Sequence, residues 1–273
     1  MLAITSEVTD NVPYLYYPLH MTEFSHSLKT WRQARRFSQL DLALEAEVSA
    51  RHISFLETGR ARPSREMIAR LGEALGLPLG AQNTLLTHAG FAARFATRDW
   101  DADEMAPVRA AVEHMMDRHA PYPAIALDRE WRLIRLNGPA QMLYGMLGLS
   151  KGDSLLELMV SDTLPGIVAN WPEVAHHTAL RLRTESAALG GVSVLDKAAA
   201  ALSQVPRRGT LPTGAVVPIV LEMGTLRLSL FGTIAQFGTP EDVTLDGLRI
   251  ELFFPADTAT RLALAHLATD QVS

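Results

Sequence analysis

Between residues 25 and 90 the apolar positions recur at helical spacing in short bursts, each opened by a capping residue and closed by a turn. Leu28 and Trp31 share one face of a first helix. Phe37, then Ser38, then Asp41 three residues on combine a hydrophobic staple with a capping box. They predict a second helix carrying Leu40, Ala43 and Leu44. Ser49 caps a third helix with Ile53 and Leu56 inward, closed by Thr58-Gly59. Ser64 starts a fourth, with Met67, Ile68, Leu71 and Leu75 inward and Gly76 at its end, and Leu79 to Ala89 reads as a fifth. Connections this short require one compact all-α bundle, assigned to residues 21–91.

The charged stretch 92–106 then reads as a linker. Asp99, Asp101 and Asp103 alternate there as in a calcium loop, but the glycine and terminal Glu of such a loop are missing. Val108 to His119 is amphipathic at helical period, after which the period falls to two. Pro123–Leu127 and Trp131–Leu136 predict a hairpin about Asp128 to Glu130. Residues 139–205 are mostly helical, and Val216–Leu221, Thr225–Ala235 and Leu248–Phe254 read as strands. Two strands, a helical middle and three more strands predict an α+β domain over 107–273 with a single antiparallel sheet. The fold class is therefore α plus α+β, in two domains.

Residues 1–20 read as a tail. They carry Glu7 and Asp10 and no Lys or Arg, so they lack the basic start of a secretory signal. The most apolar stretch, Ala215 to Leu221, falls far short of the roughly 18 residues a membrane span needs. The chain has no cysteine, which excludes disulfides, thiolate zinc sites and cysteine nucleophiles. A soluble, cytoplasmic protein with no membrane partner is expected.

The formal net charge of −5 argues at first against a polyanionic partner, but its distribution changes the picture. Ser25 to Arg70 holds nine basic and five acidic residues, a net of +4, which leaves −9 on the remainder. Positive charge confined to the helical bundle is what a nucleic-acid-binding unit joined to a non-binding one would show.

The run from Ser38 to Pro63, SQLDLALEAEVSARHISFLETGRARP, resembles the helix-turn-helix of the phage-repressor (Xre) family. The resemblance rests on Gln39 after the cap, a small Ala43 where two helices cross, Val48-Ser49 in the turn, Ile53 in the core, and Glu57 with Gly59 at the helix end. It implies that the third helix enters the major groove. Gln39 would then hold a phosphate, aided by the helix N-terminus, while Ser49, Ala50, Arg51, Ser54 and Phe55 face the groove and Arg60 lies near the backbone. Arg51 suits a bidentate contact to guanine and Phe55 a thymine methyl, with phosphate binding by Arg51 the alternative. Lys29, Arg35, Arg36 and Arg60 fit a solvated face as well as a phosphate contact. Arg32 and Glu57 match a structural pair of the family. Glu47 stands where the family often has Gly. One such unit covers few base pairs, so a homodimer on a near-palindromic operator is expected.

Pro121 to Asn137, Leu143-Tyr144-Gly145, Asn170-Trp171, Leu182-Arg183 and Phe253 to Asp257 resemble the MmyB-like ligand-binding domain, a PAS-like fold. The resemblance implies a cavity between sheet and helices for a small apolar ligand, with long-chain fatty acids the leading class, and no other cofactor. Bulky residues available to line it are Trp131, Leu133, Leu143, Tyr144, Met146, Trp171, Leu180 and Phe231, each of which would serve equally as core. Arg181, Arg183 and Arg227 are the candidate partners of a ligand carboxylate. The adjacent His176 and His177 would point to different sides of a helix and do not make a metal pair.

No G-x-S-x-G elbow, P-loop, G-x-G-x-x-G or H-E-x-x-H is present, so an enzyme is not expected. A second domain that only dimerises or binds a protein remains open, and cavity volume distinguishes the two, because a packed core leaves no room for an acyl chain.

Overall fold

The computed structural model describes residues 19–206 and 215–269. The chain divides into two compact units, one of residues Met1–Leu77 with Ala81–Arg94, the other of Pro78–Gly80 with Phe95–Ser273. Residues 1–18 of the expected tail lie outside the described residues, and its last two already belong to a helix.

The first unit consists of α1 (Leu19–Ala34), α2 (Gln39–Glu45), α3 (Ala50–Glu57), α4 (Arg65–Ala74) and α5 (Leu79–His88). Ser38, Ser49 and Ser64 cap α2, α3 and α4 through their hydroxyls, and Ser38 with Asp41 forms the full capping box. Phe24, Leu28, Leu42, Ile53, Leu56, Ile68, Leu71 and Leu85 make the fully buried core. One expectation is corrected here: Leu40 and Leu44 are exposed, and the inward residues of α2 are Leu42, Ala43 and Ala46. The three lie within about 100° of arc around the close crossing at Ala43, which turns positions 40 and 44 to the opposite side.

A polar knot fixes α1 to α3. Arg32 donates from Nε and Nη2 to the two carboxylate oxygens of Glu57 at 2.6 and 3.0 Å, and from Nη1 to the Phe37 carbonyl at 2.7 Å. Arg35, read as solvated or phosphate-facing, instead donates to the carbonyls of Leu75 and Gly76 at the end of α4. Glu47 in the turn has φ of +53°, a conformation that suits Gly and costs a bulkier residue of order 1 kcal/mol.

The second unit holds α6 (Ala106–Arg118), β1 (Ala124–Leu127), β2 (Leu133–Leu136), α7 (Gly138–Met146), α8 (Leu155–Val160), α9 (Leu164–Ile167), α10 (Trp171–Ala188), α11 (Ser193–Leu202), β3 (Ile219–Met223), β4 (Leu226–Ala235), α12 (Val243–Asp246), β5 (Arg249–Pro255) and α13 (Thr258–Thr269). The strands form one sheet in the order β2-β1-β5-β4-β3, every pair antiparallel, so the α+β, PAS-like architecture holds. Alternation divides its faces. Ile125, Leu127, Leu228, Leu230 and Phe253 join the helical layer of α7 to α11, whereas Ala124, Ala126 and Ile250 pack with Val112 and Met116 of α6.

The linker expectation is also corrected. From Phe95 onward the chain belongs to the second unit: Ala96 bridges to Asp242, Trp100 and Met105 are buried beside α6, and Arg98 pairs with Asp242. The acidic appearance of this stretch hid its two large apolar anchors.

The Glu57 carboxyl provides a test of the knot. Burial would raise its pKa, but the hydrogen bonds from Arg32 and Gln39 and the charges of Arg32 and Lys29 outweigh that and hold it below the usual range. Its stabilisation is therefore complete above about pH 5 and is lost as pH falls through the depressed folded value. Glu57→Gln leaves Arg32 buried without a counter-charge and is expected to cost about 3 kcal/mol at pH 7. Amide hydrogen exchange in α3 should show that deficit shrinking toward pH 3; a deficit independent of pH would contradict the ion pair.

Candidate functional site

In the first unit α3 carries Ala50, Arg51, Ser54 and Phe55, four of the residues expected to meet DNA. Ser49 is spent on capping, its Oγ accepting from the His52 amide at 3.1 Å. Ala50 packs against the core, Arg51 is exposed, and Ser54 and Phe55 are half-buried. The Arg51 guanidinium lies 5.1 Å from the centre of the Phe55 ring, one helical turn on, so the two side chains share one face. The Gln39 amide donates to Glu57 at 2.8 Å and is thereby tied to the end of α3. An amide nitrogen carries a second hydrogen, so this bond orients Gln39 without exhausting it. Arg60 is exposed beyond the α3 terminus.

In the second unit an apolar cavity of about 70 Å³, within some 620 Å³ of space between atoms when its mouth is included, lies between the sheet and the helical layer. Leu143 and Tyr144 of α7 with Leu147 just beyond it, Leu155, Leu158 and Met159 of α8, and Leu164 of α9 line one side. Val168, Trp171 and Val174 line another, and Ile219, Leu221, Leu230 and Phe253 form the floor. None of these residues carries a formal charge.

Of the residues expected to line a pocket, Leu143, Tyr144 and Trp171 do so. Trp131 and Leu133 lie in the surrounding core without reaching the cavity. Met146 and Leu180 are instead exposed, because each falls on the outer side of its helix. Phe231 faces away as well: β4 alternation turns it to the opposite side of the sheet, where it stacks on Phe254. The α8–α9 leucines went unsingled. Their density, with five apolar residues among Leu155 to Val160, was the available signal.

The three candidate cations are also elsewhere. Arg183 is exposed and bonded to Ser203, and Arg227 pairs with Glu222 across the β3–β4 hairpin. Arg181 is bound to Glu251 and, at 2.8 Å, to Glu185, and its guanidinium sits 4.5 Å over the Trp131 ring. Arg249 reaches Glu185 at 3.5 Å, and the Trp131 indole donates to the same carboxylate at 2.9 Å. Two guanidiniums and two carboxylates thus neutralise one another between α10 and β5. Tyr144 of α7 is buried and feels the charges of Glu251 and Arg181. Burial chiefly, and then the Glu251 charge, push its phenol far above the ordinary range against the opposing effect of Arg181.

One segment both walls the cavity and covers the open edge of β3. Val168 bridges to Leu221, the Ala169 amide donates to the Val220 carbonyl at 2.8 Å, and the Asn170 side chain makes two further bonds. Its Nδ2 donates to the Pro218 carbonyl at 2.8 Å and its Oδ1 accepts from the Val220 amide at 3.0 Å.

Comparison with known proteins fits this geometry. Residues 108–267 match the model described as the MmyB-like transcription regulator ligand binding domain, more than half of the chain. The chain belongs to this family. Residues 23–85 match a helix-turn-helix domain. Together the two make a ligand-responsive transcription regulator, and neither model describes an enzyme. A solved structure described as that of an RNA-binding light-oxygen-voltage receptor aligns with 93% of this chain at 12% identity and a TM-score of 0.26. The chain spans 63% of that protein, and a superposition this loose supports no argument. The comparison with curated proteins gives no match. Among the described residues no helix is long and apolar enough to cross a membrane, and no group of three or more His, Cys, Asp or Glu side chains could hold a metal ion.

Asn170→Ala should remove both side-chain bonds and leave the Val220 amide without its partner. The expected loss is about 2 kcal/mol of second-unit stability, measured as the shift in its urea midpoint. A shift below a few tenths would mean that the main-chain bridge alone holds the segment.

Proposed function

We propose that this MmyB-like regulator has an Xre-type head that binds a near-palindromic operator as a homodimer in the cytoplasm, and that an apolar small molecule of the fatty-acid or similar lipid class controls that binding. The observation that supports the ligand reading over a purely dimerising domain is the cavity, lined throughout by uncharged and mostly aliphatic residues. At about 70 Å³ it has roughly half the ~150 Å³ of a cavity that accepts benzene. An acyl chain therefore enters only as the lining parts. That requirement suits a sensor, because a ligand that prefers the opened arrangement can shift the population between two states, and one that binds both equally shifts nothing.

Organic extraction of the denatured full-length protein, followed by mass spectrometry, tests the ligand reading, with residues 1–94 prepared alongside as control. A stoichiometric apolar molecule from the full chain alone supports it. Failure of any added apolar compound to change operator affinity would count against control by ligand.

On DNA, Arg51 is the proposed base reader and Phe55 its support. Arg51→Ala should weaken operator binding by about 1 to 3 kcal/mol and relax preference at one base pair. A loss uniform across sequences, with the salt slope reduced by about one, would mean that Arg51 holds a phosphate.

A further inference from the structure

We infer that a groove between α8 and α11 is the face on which two copies of this chain meet, related by a two-fold axis that runs along the groove. This deepens the homodimer reading and rests on it. The groove has a volume of about 380 Å³ and shares no lining residue with the cavity between sheet and helical layer. On α11, Val194, Lys197, Ala198 and Ala201 follow one another at i, i+3, i+4 and i+7 and so share one face, while Leu195, Ala199 and Leu202 turn to the core. Leu156, Glu157 and Val160 of α8 form the facing wall. Leu156 and Ala198 are buried in the groove, and Val160 and Val194 stand exposed on its two walls.

Charge decides the occupant. The α8 wall carries Glu157 and the α11 wall Lys197, and neither side chain makes a salt bridge among the described residues. Glu130 and Arg132, between β1 and β2, add one charge of each sign. A nucleic acid or an anionic lipid surface laid here would meet Glu130 and Glu157 as like charges. A two-fold axis along the groove instead turns α8 of the second copy over α11 and its α11 over α8, so each Glu157 faces the wall that holds the partner's Lys197. The exposed valines of both copies then leave water together. Rim charges of this kind fix register and exclude wrong partners, while the apolar residues between them supply most of the affinity. Because α8 also turns Leu155, Leu158 and Met159 to the ligand cavity, any change there that moves α8 reshapes the dimer face.

Sedimentation equilibrium of the full-length chain tests this. Lys197→Glu gives each copy two acidic walls and Glu157→Lys two basic ones. Each reversal should raise the dimer dissociation constant about tenfold or more, because symmetry makes every such change create two like-charged contacts. Both side chains are exposed, so neither variant should move the urea midpoint of the fold. Mixing the two variants should restore association, since in the mixed dimer every acidic wall again faces a basic one, and both reversals in one chain should do the same. Weakening without rescue on mixing overturns the inference. A dimer indifferent to both reversals also overturns it, whether the groove then holds another protein or a small amphiphile, and leaves the homodimer reading intact. A chain that stays monomeric throughout the micromolar range removes that reading and the inference with it.

Discussion

The central strand β5 constrains both sides of the second unit. Its alternate residues Arg249, Glu251 and Phe253 face the helical layer, and Ile250 and Leu252 face the other way. Burying Glu251 and Arg249 on a sheet face is unfavourable unless partners arrive, and the partners come from one helix. Arg181 and Glu185, one turn apart on α10, meet them, and the Trp131 indole completes the set. These contacts lay α10 across the sheet. Once α10 is placed, Trp171 and Val174 near its start must stand over Phe253, and the cavity follows from the space they leave. Trp131 itself has φ of +62°, a strained conformation for a bulky residue, held by its burial, its bond to Glu185 and the guanidinium above it.

The first unit applies the same logic at smaller scale. Arg32 is buried because Glu57 is, and Gln39 is drawn to the same carboxylate, so three helices meet at one charge. The pairing aligns the start of α2 with the end of α3, which sets the angle at which the Arg51–Phe55 face is presented. Glu57 thus supports the surface without forming part of it.

What could be read in the sequence followed from local chemistry. Caps at Ser38, Ser49 and Ser64, the Arg32–Glu57 pair and the strained Glu47 all depend on neighbours or on a short, specific motif, and the structure has each of them. The five strands were legible for the same reason, since alternation survives in single segments. Sidedness was harder. The α2 face was misread because two leucines at helical spacing outweighed the small residues that permit the close crossing. Phe231 was placed in the pocket because strand alternation says which residues share a face and not which face carries the helices. Arg181 looked like a ligand partner because Glu251, seventy residues away, cannot be seen from its neighbourhood. Each of these errors concerns a contact distant in sequence.

A sheet of five strands has two border strands, and a bare border offers main-chain groups to any extended peptide that can reach it. At β3 that offer is withdrawn by the Asn170 side chain and the short bridge through Val168. The same residues wall the cavity, so the protein has joined two tasks in one segment. Any movement that makes room for a guest by lifting this wall also uncovers hydrogen-bonding backbone. On this side of the molecule, lifting the cavity wall and readying β3 to accept another strand are mechanically a single event.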